Sequence, residues 1–320
     1  MYNVQTIDKL AILIPCYNEE KTIRKVVEDF KRIYKDAKIY VYDNNSTDQT
    51  IKEAQKAGAI VRQEFKQGKG NVLRRMFREI DAECYLVVDG DDTYPAEDSV
   101  EMVEKVLKKH CDMVVGDRLS STYFAENKRR FHNSGNAGVR KAIQMLFNCD
   151  IKDVMTGYRA LSYSFVKSFP VQSHGFEIET EMTIHAYDKN MYVDHVIIDY
   201  RDRPEGSVSK LNTISDGIKV LFTILNLYRC YKPFNFFGIL SLLSVIISSL
   251  FFVPILYDYT LTGIVLKFPT LICCCFLYLF AVISFFSGLV LSNIQKENHH
   301  QFEYQLHIMD QFLKIQKSKE

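Results

Sequence analysis

Short apolar runs alternate with longer amphipathic segments over the first 120 residues of the 320-residue chain. The short runs have the length of buried strands, and the segments between them repeat apolar residues at the period of a helix, as at Ile23, Val26 and Phe30. The pattern predicts strands at residues 10–14, 38–42, 59–62, 84–88 and 113–115, and helices at residues 69–80 and 95–109, with two more beginning near residues 18 and 46. Because strands and helices alternate at this spacing, we expect an α/β domain built on an open, mostly parallel sheet.

Two polar segments in this part of the chain carry signals for the start of a helix. Asn18 is a residue type that caps helices, and Glu19 and Glu20 after it suit the positive end of a helix dipole. Residues 46–49 read STDQ, which has the spacing of a capping box. The sequence therefore predicts that Asn18 caps the first helix and that the box opens the second.

The pattern changes near residue 234, where the chain becomes almost free of charge. Residues 234–292 hold only two charged side chains, Asp258 and Lys267. Within this region, residues 234–257 and 264–293 are each long enough to cross a hydrocarbon core of about 30 Å. We expect a hairpin of two transmembrane helices, and a pair of buried core helices is the alternative.

The flanks of the apolar hairpin predict its orientation. Arg229 and Lys232 precede the first span and Lys296 follows the second, so the positive-inside rule predicts that both termini and the soluble domain are cytoplasmic. Residues 211–233 have helical periodicity, and we expect an amphipathic helix that lies either at the membrane interface or on the soluble domain. We expect residues 294–320 to form a cytoplasmic tail, whose apolar positions also have helical spacing. This tail is expected to pack either on the soluble domain or on another copy of the chain, so a homo-oligomer is an open alternative.

Composition narrows the class of protein for residues 1–210. A net charge of +1 argues against a nucleic-acid binder with a broad basic face. The eight cysteines lack the spacing of zinc ligands, and the first nine residues are polar, so we expect no signal peptide and a reduced, cytosolic domain. The segregation of charge excludes both a wholly soluble protein and a transporter of many spans.

Polar clusters follow three of the predicted strands, at residues 17–19, 43–45 and 89–92. In an open α/β sheet, ligands bind at the carboxyl ends of the strands. Asp89 and Asp91 form a D-x-D pair after an apolar strand, where two carboxylates can face one hard cation such as Mg²⁺ or Mn²⁺. A solvated acidic turn is the alternative for such a pair, but the two neighbouring clusters make a binding site the better interpretation.

Other nucleotide-binding and catalytic motifs are poorly matched. Residues 68–70 read GKG but lack the third small residue of a dinucleotide fingerprint, and they follow a polar stretch instead of a strand. The sequence contains neither a P-loop nor a G-x-S-x-G nucleophile elbow.

Several of these segments together resemble a known enzyme family. Residues 14–20 (IPCYNEE), 43–48 (DNNSTD), 68–70 (GKG) and 88–91 (VDGD) are similar to the nucleotide-sugar half of family 2 glycosyltransferases, which have the Rossmann-like GT-A fold. Residues 156–159 (TGYR), 175–181 (GFEIETE) and 203–211 (RPEGSVSKL) resemble one branch, the polyprenyl-phosphate glycosyltransferases. That branch includes dolichyl-phosphate mannose synthases and undecaprenyl-phosphate glucosyltransferases.

The resemblance implies roles for the donor side of the site. The nucleotide sugar would be bound by Pro15, Tyr17, Glu19, Asp43, Lys69 and Asp89. The D-x-D pair would hold Mg²⁺ or Mn²⁺, with Asp91 as the more direct ligand and Asp89 beside it. Thr93 stands where mannose synthases often carry a glutamine that assists the metal.

For the acceptor side, the resemblance implies a set of basic residues that hold the lipid phosphate: Arg118, Arg130, Arg203 and Lys210. Alternatively, Arg130 belongs to a run of charged residues on the surface, and Arg203 forms an ion pair with Asp202 or Glu205. Glu181 matches the acidic position of the branch motif, and Glu179 is the alternative residue for that position.

The resemblance implies an inverting glycosyltransferase that moves one sugar from a UDP- or GDP-sugar to an undecaprenyl or dolichyl phosphate in the bilayer. Two alternatives stay open: transfer to a growing glycan, and a catalytically silent, membrane-anchored binding protein. A processive polysaccharide synthase is disfavoured, because such enzymes carry a Q-x-x-R-W motif and this chain has no tryptophan.

Overall fold

The computed structural model describes residues 7–120, 153–173, 177–201 and 224–317, with the single positions 141, 144, 175 and 222. The strands are β1 (Asp8–Cys16), β2 (Lys38–Asp43), β3 (Ile60–Gln63), β4 (Ala82–Val87), β5 (Met113–Asp117), β6 (Arg159–Ser162) and β7 (Val193–Ile197). The helices are α1 (Ile23–Ile33), α2 (Thr50–Lys56), α3 (Lys69–Glu79), α4 (Ser99–Lys109), α5 (Tyr163–Ser168), α6 (Ile178–Asp188), α7 (Pro233–Thr262) and α8 (Phe268–Lys317). Residues 224–231 are also helical.

The strands form one sheet in the order β3-β2-β1-β4-β6-β5-β7. Strand β6 runs antiparallel to β4 and β5, and the other pairs are parallel. The prediction of an open, mostly parallel α/β sheet is therefore confirmed. Ile12, Val41 and Leu86 in the central strands have no exposed surface, which explains why those strands read as short apolar runs.

The register of the parallel strands brings their carboxyl ends to one edge of the sheet. Cys16 at the end of β1 is opposite Asp43 at the end of β2, and Asp43 is opposite Gln63 at the end of β3. Strand β4 lies on the other side of β1, with Val87 opposite Leu13. The loops after β1, β2, β3 and β4 therefore meet at this edge.

Several helix starts differ from the sequence prediction. Helix α1 begins at Ile23 after Thr22, and Asn18 is not its cap. Helix α2 begins at Thr50, so the predicted capping box is also wrong in its placement. The polar side chains that resemble caps instead form hydrogen bonds between the loops after β1 and β2. Strand β1 continues through Pro15, which pairs with Tyr42 near the end of the strand, where its missing N–H matters least.

A cluster of charges joins β2, β3 and α3. The Glu79 carboxylate accepts hydrogen bonds from Tyr42 at 2.8 Å, Arg62 at 2.6 Å and Arg75 at 2.7 Å. Burial opposes ionisation of this group, but the hydrogen bonds from Arg75, Tyr42 and Arg62 outweigh it and lower the pKa of Glu79 to about 2. A carboxyl whose pKa is depressed by folding stabilises the folded state above its ordinary pKa.

We expect Glu79→Gln to lower the free energy of unfolding at pH 7 by about 1 kcal/mol, since the partners are partly exposed and screened by solvent. This stabilisation is lost as the pH falls from the ordinary pKa of 4.5 towards about 2, so the difference between variant and wild type should shrink at pH 3. Urea unfolding in detergent at pH 7 and at pH 3 measures this difference in the free energy of unfolding. Glu104→Gln, in an exposed pair with Lys108, is the control. A difference of equal size at both pH values would show that Glu79 does not titrate as proposed.

The chain divides into two compact units, Met1–Ile224 with Tyr304–Glu320, and Leu225–Glu303. In the second unit, α7 and α8 are each long and apolar enough to cross a membrane. Only 17% and 22% of their most apolar stretches is buried, which disfavours the alternative of core helices. Both helices are longer than the predicted spans. Helix α7 extends to Thr262, where Gly263 ends it with a φ of 69°, and α8 continues without a break into the predicted tail.

Serine hydroxyls join α7 to α8. Ser241 donates to the carbonyl of Ala281 at 2.8 Å, and Ser248 donates to the carbonyl of Cys274 at 2.9 Å. Small residues let two helix backbones approach closely, and hydroxyls can then bond across the gap without water. The two apolar helices therefore form a closely packed hairpin.

The end of α8 belongs to the first unit. Asp310 lies 3.4 Å from the hydroxyl of Ser164 at the start of α5. This contact corresponds to the first of the two placements expected for the tail, on the catalytic domain of the same chain.

Candidate active site

The loops after β1 and β2 are fastened to each other by reciprocal hydrogen bonds. Ser46 accepts from the backbone N–H of Asn18 at 2.8 Å, and the Asn18 side chain accepts from the N–H of Thr47 at 2.8 Å. The Thr50 hydroxyl accepts from the N–H of Glu19 at 2.8 Å. The polar residues that look like helix caps therefore satisfy the backbone of the opposite loop. The two segments form one rigid wall at the carboxyl edge of the sheet.

Asp43 lies at the base of this wall with no exposed surface. One of its carboxylate oxygens accepts from the N–H of Ser46 at 3.0 Å. The other is buried and has no hydrogen-bond partner among the residues that the structure describes. Buried acceptors are almost always paired, so an unpaired one in a loop cluster indicates that a ligand supplies the donor. Pro15 and Tyr17 flank Cys16, the register partner of Asp43, so the backbone of all three predicted residues lies at this edge of the sheet.

Asp89, just after β4, is a partly exposed member of a group of three charges whose other two members, Lys69 and Glu179, are nearly buried. The Lys69 ammonium lies 2.5 Å from Asp89 and 2.6 Å from Glu179. Burial alone would lower the pKa of Lys69, but the two carboxylates outweigh it and hold this pKa above its ordinary value. Burial raises the pKa of Glu179, and the ammonium of Lys69 opposes that effect. Lys69 thus forms an ion pair with both carboxylates.

Gly157 packs directly against this group. A Cβ atom at this position would lie 2.5 Å from an oxygen of Asp89 and 2.8 Å from the Lys69 nitrogen. Any side chain would displace both charged groups, which explains in physical terms why a glycine stands here. The segment TGYR at residues 156–159 therefore forms a wall of the same site.

Asp91 is 4% exposed, and its carboxylate accepts a hydrogen bond from the Thr93 hydroxyl at 2.7 Å. Thr93 therefore orients this carboxylate, a role that the sequence did not reveal. Among the described parts of the chain, no group of three or more His, Cys, Asp or Glu side chains converges as a complete metal site. Mg²⁺ and Mn²⁺ are usually bound through one or two carboxylates together with waters and substrate phosphates, and the pair Asp89 and Asp91 fits that donor set.

Arg118 follows β5 and is held by protein groups. Its Nε donates to Asp153 at 2.8 Å, one terminal nitrogen donates to the carbonyl of Met155 at 3.3 Å, and the guanidinium lies 5.7 Å from the centre of the Tyr200 ring. Its predicted contact with a lipid phosphate stays a prediction. Arg130, Arg203 and Lys210 lie outside the described residues.

Glu179 and Glu181 have different partners in the structure. Glu181 accepts from the backbone N–H groups of Gln172 and Ser173 at 2.9 and 2.8 Å, so it holds a loop in place. Glu179 contacts Lys69 and is the one that joins the charged group. Residues two apart on a helix face in different directions, so the helical period of α6 would have separated the two roles.

Arg159 is a buried residue whose contribution the sequence did not indicate. It has no exposed surface, and it donates to the carbonyls of Val154 at 2.7 Å and Thr156 at 3.1 Å and to the hydroxyl of Thr183 at 2.9 Å. Burial lowers the pKa of Arg159 to about 10. The guanidinium joins the segment before Gly157 to α6 and so holds that segment against the charged group.

Comparisons with known proteins identify the family of the chain. The family model "Glycosyl transferase family 2" matches residues 11–169. Glycosyltransferase AglJ of Haloferax volcanii is 33% identical over 241 residues, which is 73% of this chain and 76% of that protein. A dolichyl-phosphate hexose transferase of the same organism is 28% identical over 215 residues, 67% of this chain and 92% of that protein.

A solved structure shares the fold. Glucosyl-3-phosphoglycerate synthase from Mycobacterium tuberculosis, in complex with Mn²⁺, uridine diphosphate and phosphoglyceric acid, matches with a TM-score of 0.56 at 19% identity. The match covers 69% of this chain and 78% of that one. With the matching family model, the close relative and the GT-A fold, the chain belongs to glycosyl transferase family 2 and is a hexosyltransferase.

Proposed function

We propose that this chain transfers one sugar from a UDP- or GDP-sugar to a polyprenyl phosphate at the cytoplasmic face of a membrane. The observation that carries the proposal is the meeting of Asp43, Asp89 and Asp91 at one edge of the sheet, in a chain that also has two apolar helices. The relative named dolichyl-phosphate hexose transferase supports a lipid phosphate as acceptor.

The donor would occupy the edge formed by the loops after β1, β2 and β4. The unpaired oxygen of Asp43 would accept an N–H of the base, and Tyr17, which is 37% exposed, offers a ring beside it. The diphosphate would lie towards Asp91. Asp91, with Asp89, would hold Mg²⁺ or Mn²⁺, which when bound supplies positive charge to the departing diphosphate. The related fold crystallised with Mn²⁺ and uridine diphosphate supports this placement.

The acceptor needs positioning more than activation. The second pKa of a phosphate monoester is about 6, so the nucleophilic oxygen is largely ionised at pH 7 and requires no strong base. It would attack the anomeric carbon from the face opposite the diphosphate, so that the new C–O bond forms as the old one breaks and the configuration inverts. Arg118, Arg130, Arg203 and Lys210 would orient this phosphate, because two anionic substrates otherwise repel each other.

The apolar hairpin would place this chemistry where a lipid phosphate is found. Helices α7 and α8 can anchor the chain in the bilayer, and the basic residues Arg229, Lys232 and Lys296 favour a cytoplasmic location of its termini. Undecaprenyl and dolichyl phosphate present the same headgroup chemistry, so both are candidate acceptors.

The test is a panel assay with the purified full-length chain in detergent. Radiolabelled UDP-glucose, UDP-galactose, UDP-N-acetylglucosamine and GDP-mannose are each offered with undecaprenyl or dolichyl phosphate, with and without Mg²⁺ or Mn²⁺. We expect one donor to give a labelled lipid that releases its sugar in mild acid. Label that appears only on an added glycan would favour the glycan-acceptor alternative. Binding of a nucleotide sugar without any transfer would favour the silent binding protein.

A further inference from the structure

The chain that leaves β3 passes directly beside Asp43. Gln63, the last residue of β3, is opposite Asp43 in the sheet, and the N–H of Glu64 donates to the carbonyl of Asp43 at 2.8 Å. Residues 64–68 therefore form a loop next to the buried carboxylate that has an unpaired oxygen. No motif identified in the sequence covers the first four residues of this loop.

Two asparagines after β2 fix the backbone of the loop. Asn44, which is 4% exposed, donates to the carbonyls of Glu64 at 2.8 Å and Lys66 at 2.9 Å, and accepts from the N–H of Gly68 at 2.7 Å. Asn45 donates to the carbonyl of Phe65 at 3.0 Å. An amide that is 4% exposed and makes three hydrogen bonds to one loop gives that loop a defined shape.

This fixed loop presents a large aromatic side chain to solvent. Phe65 is 74% exposed, more than any other large hydrophobic side chain that the structure describes between residues 7 and 120. In the sheet order β3-β2-β1, Phe65 follows β3 and Tyr17 follows β1, so the two rings come from strands on either side of the one that carries Asp43. An exposed aromatic ring on a loop that is fixed beside a polar binding residue can stack on a flat ligand such as a nucleotide base.

We propose that Phe65 stacks on the base of the donor nucleotide and strengthens its binding. This inference rests on the proposed function, since it requires a nucleotide at Asp43. The ring offers no hydrogen bond, so it adds affinity through stacking, while Asp43 reads the edge of the base. Removal of an aromatic ring that stacks on a base typically weakens binding about tenfold or more.

The test compares Phe65→Ala with Phe65→Tyr in the full-length chain in detergent. We expect Phe65→Ala to weaken binding of the preferred nucleoside diphosphate, UDP or GDP, about tenfold in calorimetry, and Phe65→Tyr to restore it. Inhibition by inorganic pyrophosphate, which has no base, should be the same in both variants and in the wild type. Ile60→Ala, at the start of β3 and 40% exposed, is the matched control.

Two results would overturn the inference while the proposed function stands. One is equal affinity of Phe65→Ala and wild type for both nucleoside diphosphates. The other is an equal loss for pyrophosphate and nucleotide, which would indicate a distorted loop. If the wild type binds neither UDP nor GDP, both the proposed function and the role of Phe65 fail.

Discussion

Asp91→Asn is expected to reduce sugar transfer by about a thousandfold with little change in stability. The amide keeps the size of the carboxylate and can still accept the hydrogen bond from the Thr93 hydroxyl, so the loop after β4 should keep its shape. What is lost is the negative charge that would hold a divalent cation beside the diphosphate. Loss of one preorganised electrostatic group in an active site typically lowers kcat by about 10²–10³.

Two measurements separate this effect from a structural one. The first is kcat/KM with Mg²⁺ and with Mn²⁺. The second is calorimetric titration of UDP and GDP with and without the metal, which measures nucleotide affinity independently of turnover. We expect the metal to strengthen nucleotide binding in the wild type and to have little effect in Asp91→Asn.

Asp36→Asn, a surface carboxylate in the turn before β2, is the control and should behave like the wild type. Metal-dependent transfer at the wild-type rate in Asp91→Asn would exclude Asp91 as the metal-binding residue.

The sequence predicts the central part of the sheet well, because that part depends on local pattern. Strands buried on both faces read as apolar runs, and the polar residues at their carboxyl ends, such as Asp43 and Asp89, follow from the topology of a parallel sheet. Strand β6 gives no such signal. It has only four residues, Arg159–Ser162, and it runs antiparallel between β4 and β5 because of pairing that is distant in sequence.

Asn18 and Ser46 show a second limit, which concerns the partners of polar side chains. Both residue types favour helix caps, and each lies just before a helix, so a local interpretation assigns them to those helices. Their hydrogen bonds instead cross between loops, from Asn18 to Ser46 and from Thr47 to Asn18. Local preference cannot distinguish the two arrangements, because in both the side-chain oxygen accepts from a backbone N–H and only the position of that N–H in the chain differs.

Burial of charge is a third property that single residues do not show. Charged residue types are usually exposed, yet the side chains of Lys69 and Glu179 are 9% and 5% exposed and Arg159 has no exposed surface. Burial of a charge is expensive unless it is paired or hydrogen-bonded, so such residues mark a site only after their partners are known. The sequence alone therefore leaves Glu179 and Glu181 as alternatives for the acidic position of the branch motif, and the contact with Lys69 distinguishes them.

Lys69→Met is expected to lower the free energy of unfolding by about 3 kcal/mol or more at pH 7. The substitution leaves Asp89 and Glu179 side by side without the ammonium that lies within 2.6 Å of both. Breaking a buried ion pair by removal of one partner typically costs about 3–5 kcal/mol, because a charge stays buried and unpaired. We also expect transfer to fall by at least about 10², since the Asp89 carboxylate loses its fixed position.

A second substitution tests whether the unpaired carboxylate causes the loss. Lys69→Met with Glu179→Gln removes the ammonium and one buried charge together, so this double variant should be more stable than Lys69→Met alone. Its transfer activity should stay low, because Lys69 is still missing beside Asp89. The Lys69→Met deficit should also shrink as the pH falls, since burial already raises the pKa of Glu179 and its protonation removes the unpaired charge.

The matched control for this pair is Lys108→Met on α4. Lys108 lies 2.7 Å from Glu104, but the two side chains are 71% and 54% exposed, so this substitution should change the unfolding free energy by less than about 0.5 kcal/mol. Urea unfolding in detergent gives all three stabilities, and the panel assay gives the activities. If Lys69→Met is no less stable than Lys108→Met, the ammonium does not neutralise the two carboxylates. If the double variant regains activity along with stability, Lys69 serves the fold alone and the transfer reaction proceeds without it.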